Sequence, residues 1–239
     1  LHRLIRRQRQ MCIRDSYTTD SGGFSPNIVP PRAGSWYFVR APHISEVKEI
    51  LERVRKVAEG ACLMTETSME MKIDYGCCEL LENHAYADLA YENLKEAKLP
   101  SYTEEELAFA SKLEDTLSGE TVENARKLYD TEGLPLAMKV GIRDLYQRNP
   151  LTASSDSGDV SYIMPMCLIS TVCWPAAVSP HTWQASASAG SSIGEKGALS
   201  AARVMAGIAY DLYQSSEIRE KILEEFREKK VDYRPMYEE

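Results

Sequence analysis

The sequence predicts an α/β protein, and three observations carry that prediction. A strand–helix–strand pattern runs through roughly residues 25–75. A series of amphipathic helices begins at Glu79. An apolar run from Ile163 to Val178 then leads into a long apolar helix pattern, Ser192 to Gln214. Strands interleaved with helices of this length imply layers of sheet and helix around a common core. With 239 residues, 44% of them hydrophobic, the chain can build one large domain or two small ones.

The elements follow in order. Tyr17 to Pro31 reads as loop, with Gly22-Gly23 and three prolines. Ser35 to Arg40 is aromatic and β-branched, a strand that Pro42 ends. From His43 to Gly60, Ile44, Val47, Ile50, Leu51, Val54, Val57 and Ala58 share one helical face, with Ser45 a candidate cap and Gly60 a candidate stop. Thr67 to Tyr75 alternates, Met69, Met71, Ile73 and Tyr75 against Glu70, Lys72 and Asp74, which predicts a half-buried strand. Glu79 to Lys98 is a second helix. Thr103 with Glu106 forms a capping box that opens a third, to about Leu117, and Thr121 to Tyr129 reads as a fourth. Gly133 to Pro150 lacks pattern and reads as a surface insertion. Ser154 to Ser161 is a polar turn-rich loop, and Ile163 to Val178 a buried strand region broken by Pro165 and Pro175. In the last long helix, Ala201, Ala202, Met205, Ile208, Ala209 and Leu212 are expected inward. A charged helix and tail close the chain from Ser215.

Charge and cysteine content narrow the function classes. With 28 basic and 36 acidic residues the chain carries −8, which argues against nucleic acid or an anionic membrane surface as partner. No apolar run reaches the roughly 18 residues of a transmembrane helix. The six cysteines follow no metal-finger spacing, and Cys77-Cys78 is not CxxC, so free thiols in a cytoplasmic protein are expected. Residues 1–16 differ from the rest, with five arginines against one acid. Met11-Cys12-Ile13-Arg14-Asp15-Ser16 looks like translated adapter sequence, and this segment is expected to be non-native.

The residues that could carry chemistry are few. His181 stands in a short loop, Ser179-Pro180-His181-Thr182-Trp183-Gln184, where a metal ligand or base is commonly presented. One histidine does not hold a catalytic metal, which takes about three protein ligands. Asn27 and Arg40 are separated by a loop and a strand. An arginine there can grip a carboxylate through two parallel hydrogen bonds, and an asparagine amide can donate to a carbonyl oxygen as charge develops. A surface arginine and a turn asparagine fit the same spacing. Asp156 and Asp159 flank Gly158 and could ligate a metal, orient a histidine, bind substrate or simply make a turn. Gly190, Gly194 and Gly197 before the last long helix could cradle an anion, yet match neither the Walker nor the dinucleotide spacing. His43 and His84 read as solvated or packing residues.

Several runs taken together resemble a known family. They are Asp20-Ser21-Gly22-Gly23 through Ser25-Pro26-Asn27-Ile28-Val29-Pro30; Trp36 to Pro42; Ala58-Glu59-Gly60-Ala61; Ser155 to Ser161; Pro180-His181-Thr182-Trp183-Gln184; and Ser192-Ile193-Gly194 with Lys196-Gly197. This order of motifs, over about residues 17–215, resembles the dimetal aminoacylase/carboxypeptidase superfamily of amidohydrolases, and within it the p-aminobenzoyl-glutamate hydrolase group. The resemblance implies half of an α+β ferredoxin-like lid, the dimerisation domain, over 17–75. It implies the C-terminal part of a zinc-exopeptidase-like catalytic domain over 76–239. It makes His181 a metal ligand, Asn27 and Arg40 substrate-binding residues, and Asp156 and Asp159 neighbours of the site without an assigned role. Two divalent ions, zinc or manganese, would serve hydrolysis of a small amide or dipeptide-like substrate next to a carboxylated residue, such as p-aminobenzoyl-glutamate. A homodimer, and a second subunit, are the implied partners. The family's remaining metal ligands, its lid histidine and its general-base glutamate belong upstream of Tyr17 and are absent here, so this chain alone is expected to be inactive. Glu195 departs from the polar residue found in many relatives.

Two other readings compete. One is a non-catalytic dimerising or partner-binding subunit. The other is a thiol hydrolase using Cys173 or Cys167 with His181.

Overall fold

The computed structural model describes residues 16–141 and 154–236. The segment expected to be non-native, up to residue 15, lies outside the described residues. So does half of the expected insertion, from residue 142 onward. The chain divides into two compact units. Among described residues the first comprises 16–80, 154–160 and 232–236, and the second comprises 81–141 and 161–231.

The first unit holds an antiparallel two-stranded sheet, β1 (Ser16–Ser21) and β2 (Gly34–Phe38). Tyr17 pairs with Tyr37 and Thr18 with Trp36, and the rings of Tyr17 and Tyr37 stack at 5.3 Å. β1 falls where the sequence predicts loop. Its tyrosine and two threonines favour a pleated strand once β2 supplies a partner. The prolines and Gly23, at φ +92°, then make the connection between the strands.

Helix α1 (Ile44–Thr65) follows. It starts from His43 rather than Ser45: Glu46 accepts the His43 N–H at 3.3 Å, and Glu79 accepts the Ile44 N–H at 3.0 Å. It also continues past Gly60, which lowers helix stability by only about 1 kcal/mol and does not end it. The strand expected over 67–75 is not formed. Met69, Met71 and Ile73 are half-buried and the charged residues between them exposed, so the alternation is real over 69–73, but Tyr75, expected on the inner side, is exposed. No described strand lies beside it to complete a ladder, and a strand is defined by that pairing.

The second unit is helical, with α2 (His84–Glu96), α3 (Glu104–Glu114), α4 (Gly119–Leu128), α6 (Trp183–Ala189), α7 (Ser192–Gln214) and α8 (Ser216–Lys229). Between them in sequence, α5 (Ser157–Ile163) begins in the first unit. It replaces the polar loop expected there. Helix α7 packs against α2, α6 and α8. Leu89, Ala90, Val204, Ile208 and Ile222 form one core cluster; Ala110, Leu136 and Ile193 form another; Leu113, Val178 and Ala185 form a third. Burial of each large side chain contributes roughly 2 kcal/mol. Leu136 is fully buried, which corrects the reading of residues 133–141 as surface.

Two further expectations are corrected. The run Ile163–Val178 contains no strand, because its prolines remove donors and no described strand adjoins it. Its side chains split between exposed Met164 and Leu168 and core-facing Cys167, Ile169 and Val172. The bounds expected for α7 hold, but its inner face is Ile193, Gly197, Ser200, Val204 and Ile208, while Ala202, Met205 and Ala209, expected inward, are exposed. Helix α2 starts later than expected, at the Asn83 cap. The Asn83 carboxamide accepts the Tyr86 N–H at 2.9 Å and donates to the Ile222 carbonyl at 2.9 Å, tying α2 to α8. Among the described residues, no helix is long and apolar enough to cross a membrane.

Candidate functional site

The first unit gathers most of the candidate residues around the end of β2. The Arg40 guanidinium lies over the Phe38 ring at 5.0 Å and donates to Ser154 Oγ at 3.2 Å. That bond joins the strand end to the segment carrying Asp156 and Asp159. Asp159 accepts the Cys78 N–H at 3.4 Å, and Ser155 Oγ donates to Asp156 at 3.2 Å. Gly158 lets these segments meet, since a Cβ there would overlap the Cys78 carbonyl. The Cys77 thiol responds to the shared field. Burial pushes it up first, the charges of Asp159 and Asp156 add to that, and Arg40 opposes them. Burial and then Asp159 push the Cys78 thiol up to about 11. Arg40, Asp156 and Asp159, singled out separately in the sequence, thus lie in one region of the fold.

A second pair, His43 and Glu79, escapes the sequence reading, which leaves His43 as a solvated or packing residue. Its Nδ1 lies 3.1 Å from Glu79 Oε1. Burial raises the Glu79 carboxyl, but the Ile44 amide and then the His43 side chain hold it below its usual range. No periodicity marks a contact between residues so far apart in sequence. Asn27 stands apart from this group. It is exposed in the β1–β2 connection and accepts from Ser25 Oγ.

His181 belongs to the second unit. It is exposed and held at φ +64°, in the left-handed region. Histidine is among the few side chains enriched there, and strained backbone of this kind concentrates at functional sites. The flanking geometry is fixed: Thr182 Oγ1 donates to the Ser179 carbonyl at 2.8 Å and accepts the Ala185 N–H that starts α6 at 3.2 Å. The glycines after it serve packing. A Cβ at Gly194 would strike the Ala189 carbonyl, and one at Gly197 the Val172 carbonyl.

Among the described residues no group of three or more His, Cys, Asp or Glu side chains stands where it could hold a metal ion. A catalytic metal takes about three protein ligands. The described residues therefore do not fit a two-metal centre by themselves. For Cys167, one of the two thiols considered, the thiol alternative is not supported either. Burial raises the Cys167 thiol to about 11, the opposite of what a thiolate nucleophile requires.

No protein-family model matches the chain. A relative is nevertheless found among hydrolases. Over 222 residues the chain is 33% identical to the B subunit of p-aminobenzoyl-glutamate hydrolase from Escherichia coli (strain K12), covering 88% of this chain and 46% of that protein. The chain thus has homology to one component of a hydrolase along most of its length, and it spans about half the length of the relative it matches.

Proposed function

We propose that this chain is the substrate-gripping, C-terminal part of a p-aminobenzoyl-glutamate-type amidohydrolase, and that the catalytic unit needs polypeptide beyond this sequence. The observation that carries the proposal is the 33% identity over 222 residues to a hydrolase component about twice as long as the match. The arrangement around Arg40 supports it. Ser154, which accepts from the Arg40 guanidinium, is neutral and exposed, so a substrate carboxylate would displace a weak bond with a charge-assisted pair. Asp156 and Asp159 hold the segment opposite Arg40 through Ser155 and the Cys78 amide. In this reading Asn27 donates its amide to the substrate, and His181 supplies one ligand to a pair of zinc or manganese ions. The other ligands and the general-base glutamate come from outside this sequence. The first unit would contribute to a homodimer.

The test compares this chain with the longer gene product that carries it, each supplied with zinc or manganese, by glutamate release from p-aminobenzoyl-glutamate. The chain alone should be inactive and the longer product active. In the longer product, Arg40→Ala should raise KM about ten- to a hundredfold, the loss expected for a charged hydrogen-bonded pair. An inactive longer product, or an unchanged KM, would refute the proposal. The absence of a three-ligand group among the described residues favours one second reading, a non-catalytic dimerising or partner-binding subunit. It predicts binding without turnover in the longer product as well.

A further inference from the structure

The face of β2 that leads to Arg40 carries three chemistries in a row. Side chains alternate along a strand, so positions 34, 36 and 38 share one face. Trp36 is 46% exposed there, with its ring 5.0 Å from that of Phe38. Phe38 in turn lies 5.0 Å beneath the Arg40 guanidinium. Thr18, opposite Trp36 on β1, is short. At the other end Gly34 brings no side chain, and Asp20 takes its place: a Cβ on Gly34 would meet the Asp20 carboxylate. The register of β1 against β2 shifts between Thr19 and Ser21, so Asp20 is the extra residue of a bulge. Bulges of this kind re-aim a side chain and concentrate next to active sites. This one turns an exposed carboxylate onto the face of Trp36 and Phe38. Asp20 opens the run Asp20-Ser21-Gly22-Gly23, to which the proposed function gives no task.

The order of groups defines what the strip complements. A carboxylate accepts hydrogen bonds and a guanidinium donates them. The indole between them offers a broad apolar ring with a preference for offset stacking. The matching molecule has an N–H donor at one end, a flat ring in the middle and a carboxylate at the other. An acyl group without a ring leaves Trp36 wet, and a ring without a donor leaves Asp20 without a partner from the ligand.

We propose that Asp20 and Trp36 form an aryl-amine subsite beside Arg40, with Trp36 stacking on the ring of an aminobenzoyl-type substrate and Asp20 accepting its amine N–H. Phe38 is a positioning residue that holds the Arg40 guanidinium in line with the strip. This rests on the reading in which Arg40 grips the substrate carboxylate, and it assigns the opposite end of that substrate to residues of this chain.

Calorimetric binding to this chain tests it with three probes that differ at one end: p-aminobenzoyl-glutamate, benzoyl-glutamate and acetyl-glutamate. The first should bind about tenfold more tightly than the second, the gain from one hydrogen bond to a charged group. The second should bind about tenfold more tightly than the third, the gain from ring stacking. Asp20→Ala should abolish the first step and leave benzoyl-glutamate binding unchanged, which also shows that the sheet is intact. Trp36→Leu should shrink the second step and spare acetyl-glutamate. Equal affinity for the first two probes, a preference that survives Asp20→Ala, or loss of all three probes on that substitution would overturn the proposal. So would an absence of binding by p-aminobenzoyl-glutamate, or a second step untouched by Trp36→Leu. The longer gene product separates the subsite from the proposed function. Selective binding here without hydrolysis there sinks the proposed function alone. Hydrolysis whose KM for p-aminobenzoyl-glutamate ignores Asp20→Ala sinks the subsite alone.

Discussion

Glu225 offers the most direct check on how the second unit is held together. Its carboxylate, on α8, accepts the N–H groups of His84 and Ala85 at 2.8 Å each, and it pairs with Lys229 at 2.7 Å. It therefore caps the first turn of α2 from another helix, supplying acceptors to donors that have no intrahelical partner. Partial burial raises this carboxyl, but Lys229 and then the two amides outweigh burial and hold it at about 2, against an ordinary value of 4.5. The folded value is the lower one. The contribution to stability is thus fully present above pH 4.5 and is lost as pH falls toward about 2. The whole gap would be worth about 3 kcal/mol. Solvent screening at the helix ends reduces this, and about 1–2 kcal/mol is expected. Glu225→Gln keeps the shape and removes the charge. Urea unfolding followed through the second unit should show a loss of about 1–2 kcal/mol at pH 7 that shrinks as pH falls below 4.5 and approaches zero only at about pH 2 or below. Hydrogen exchange of the Ala85 amide should rise in parallel. A loss independent of pH, or none at pH 7, would refute the cap.

Two further outcomes follow from buried charge and buried sulfur. Arg126 donates to Glu114, whose side chain is 3% exposed, and Arg126→Met would strand that carboxylate. The expected loss is about 3–5 kcal/mol, largely recovered by adding Glu114→Met, as a double-mutant cycle in urea would reveal. Cys167, with its thiol raised to about 11, should react with iodoacetamide at pH 8 about a hundredfold more slowly than a free thiol, and the rate should climb with pH beyond 9, which mass spectrometry of the labelled peptide can follow.

What the sequence disclosed tracks how local each signal is. The α3 capping box needs only residues 103 and 106, and both of its hydrogen bonds are present, at 2.7 and 3.3 Å. The bounds of α7 are equally local. The Asn83 cap of α2 is equally local, its carboxamide accepting the Tyr86 N–H three residues on, and is legible in the sequence though passed over; what no local signal shows is its second bond, to the Ile222 carbonyl 139 residues away. The same holds for His43 with Glu79 and for Glu225 with α2. Arg40 and Asp159 are singled out by type and motif, but their joining depends on Gly158 fitting under the Cys78 carbonyl, which no spacing rule announces.

The strand expectations fail for a different reason, and the failure carries information. Residues 69–73 keep a period-two burial pattern without a ladder, α1 has an apolar face yet no fully buried residue, and α7 is apolar on a face that nothing described covers. In each case the local signal is intact and the non-local partner is missing. Backbone donors and acceptors at 69–73 must pair with another strand or with water, and an apolar stripe must pack or remain wet. Charged residues commonly blunt such edges and stripes where they face water. This one places two tyrosines, a methionine and a leucine on the open side of α7. An apolar position left open in this way keeps the periodicity of a buried face, so periodicity alone does not announce which face of a helix is covered.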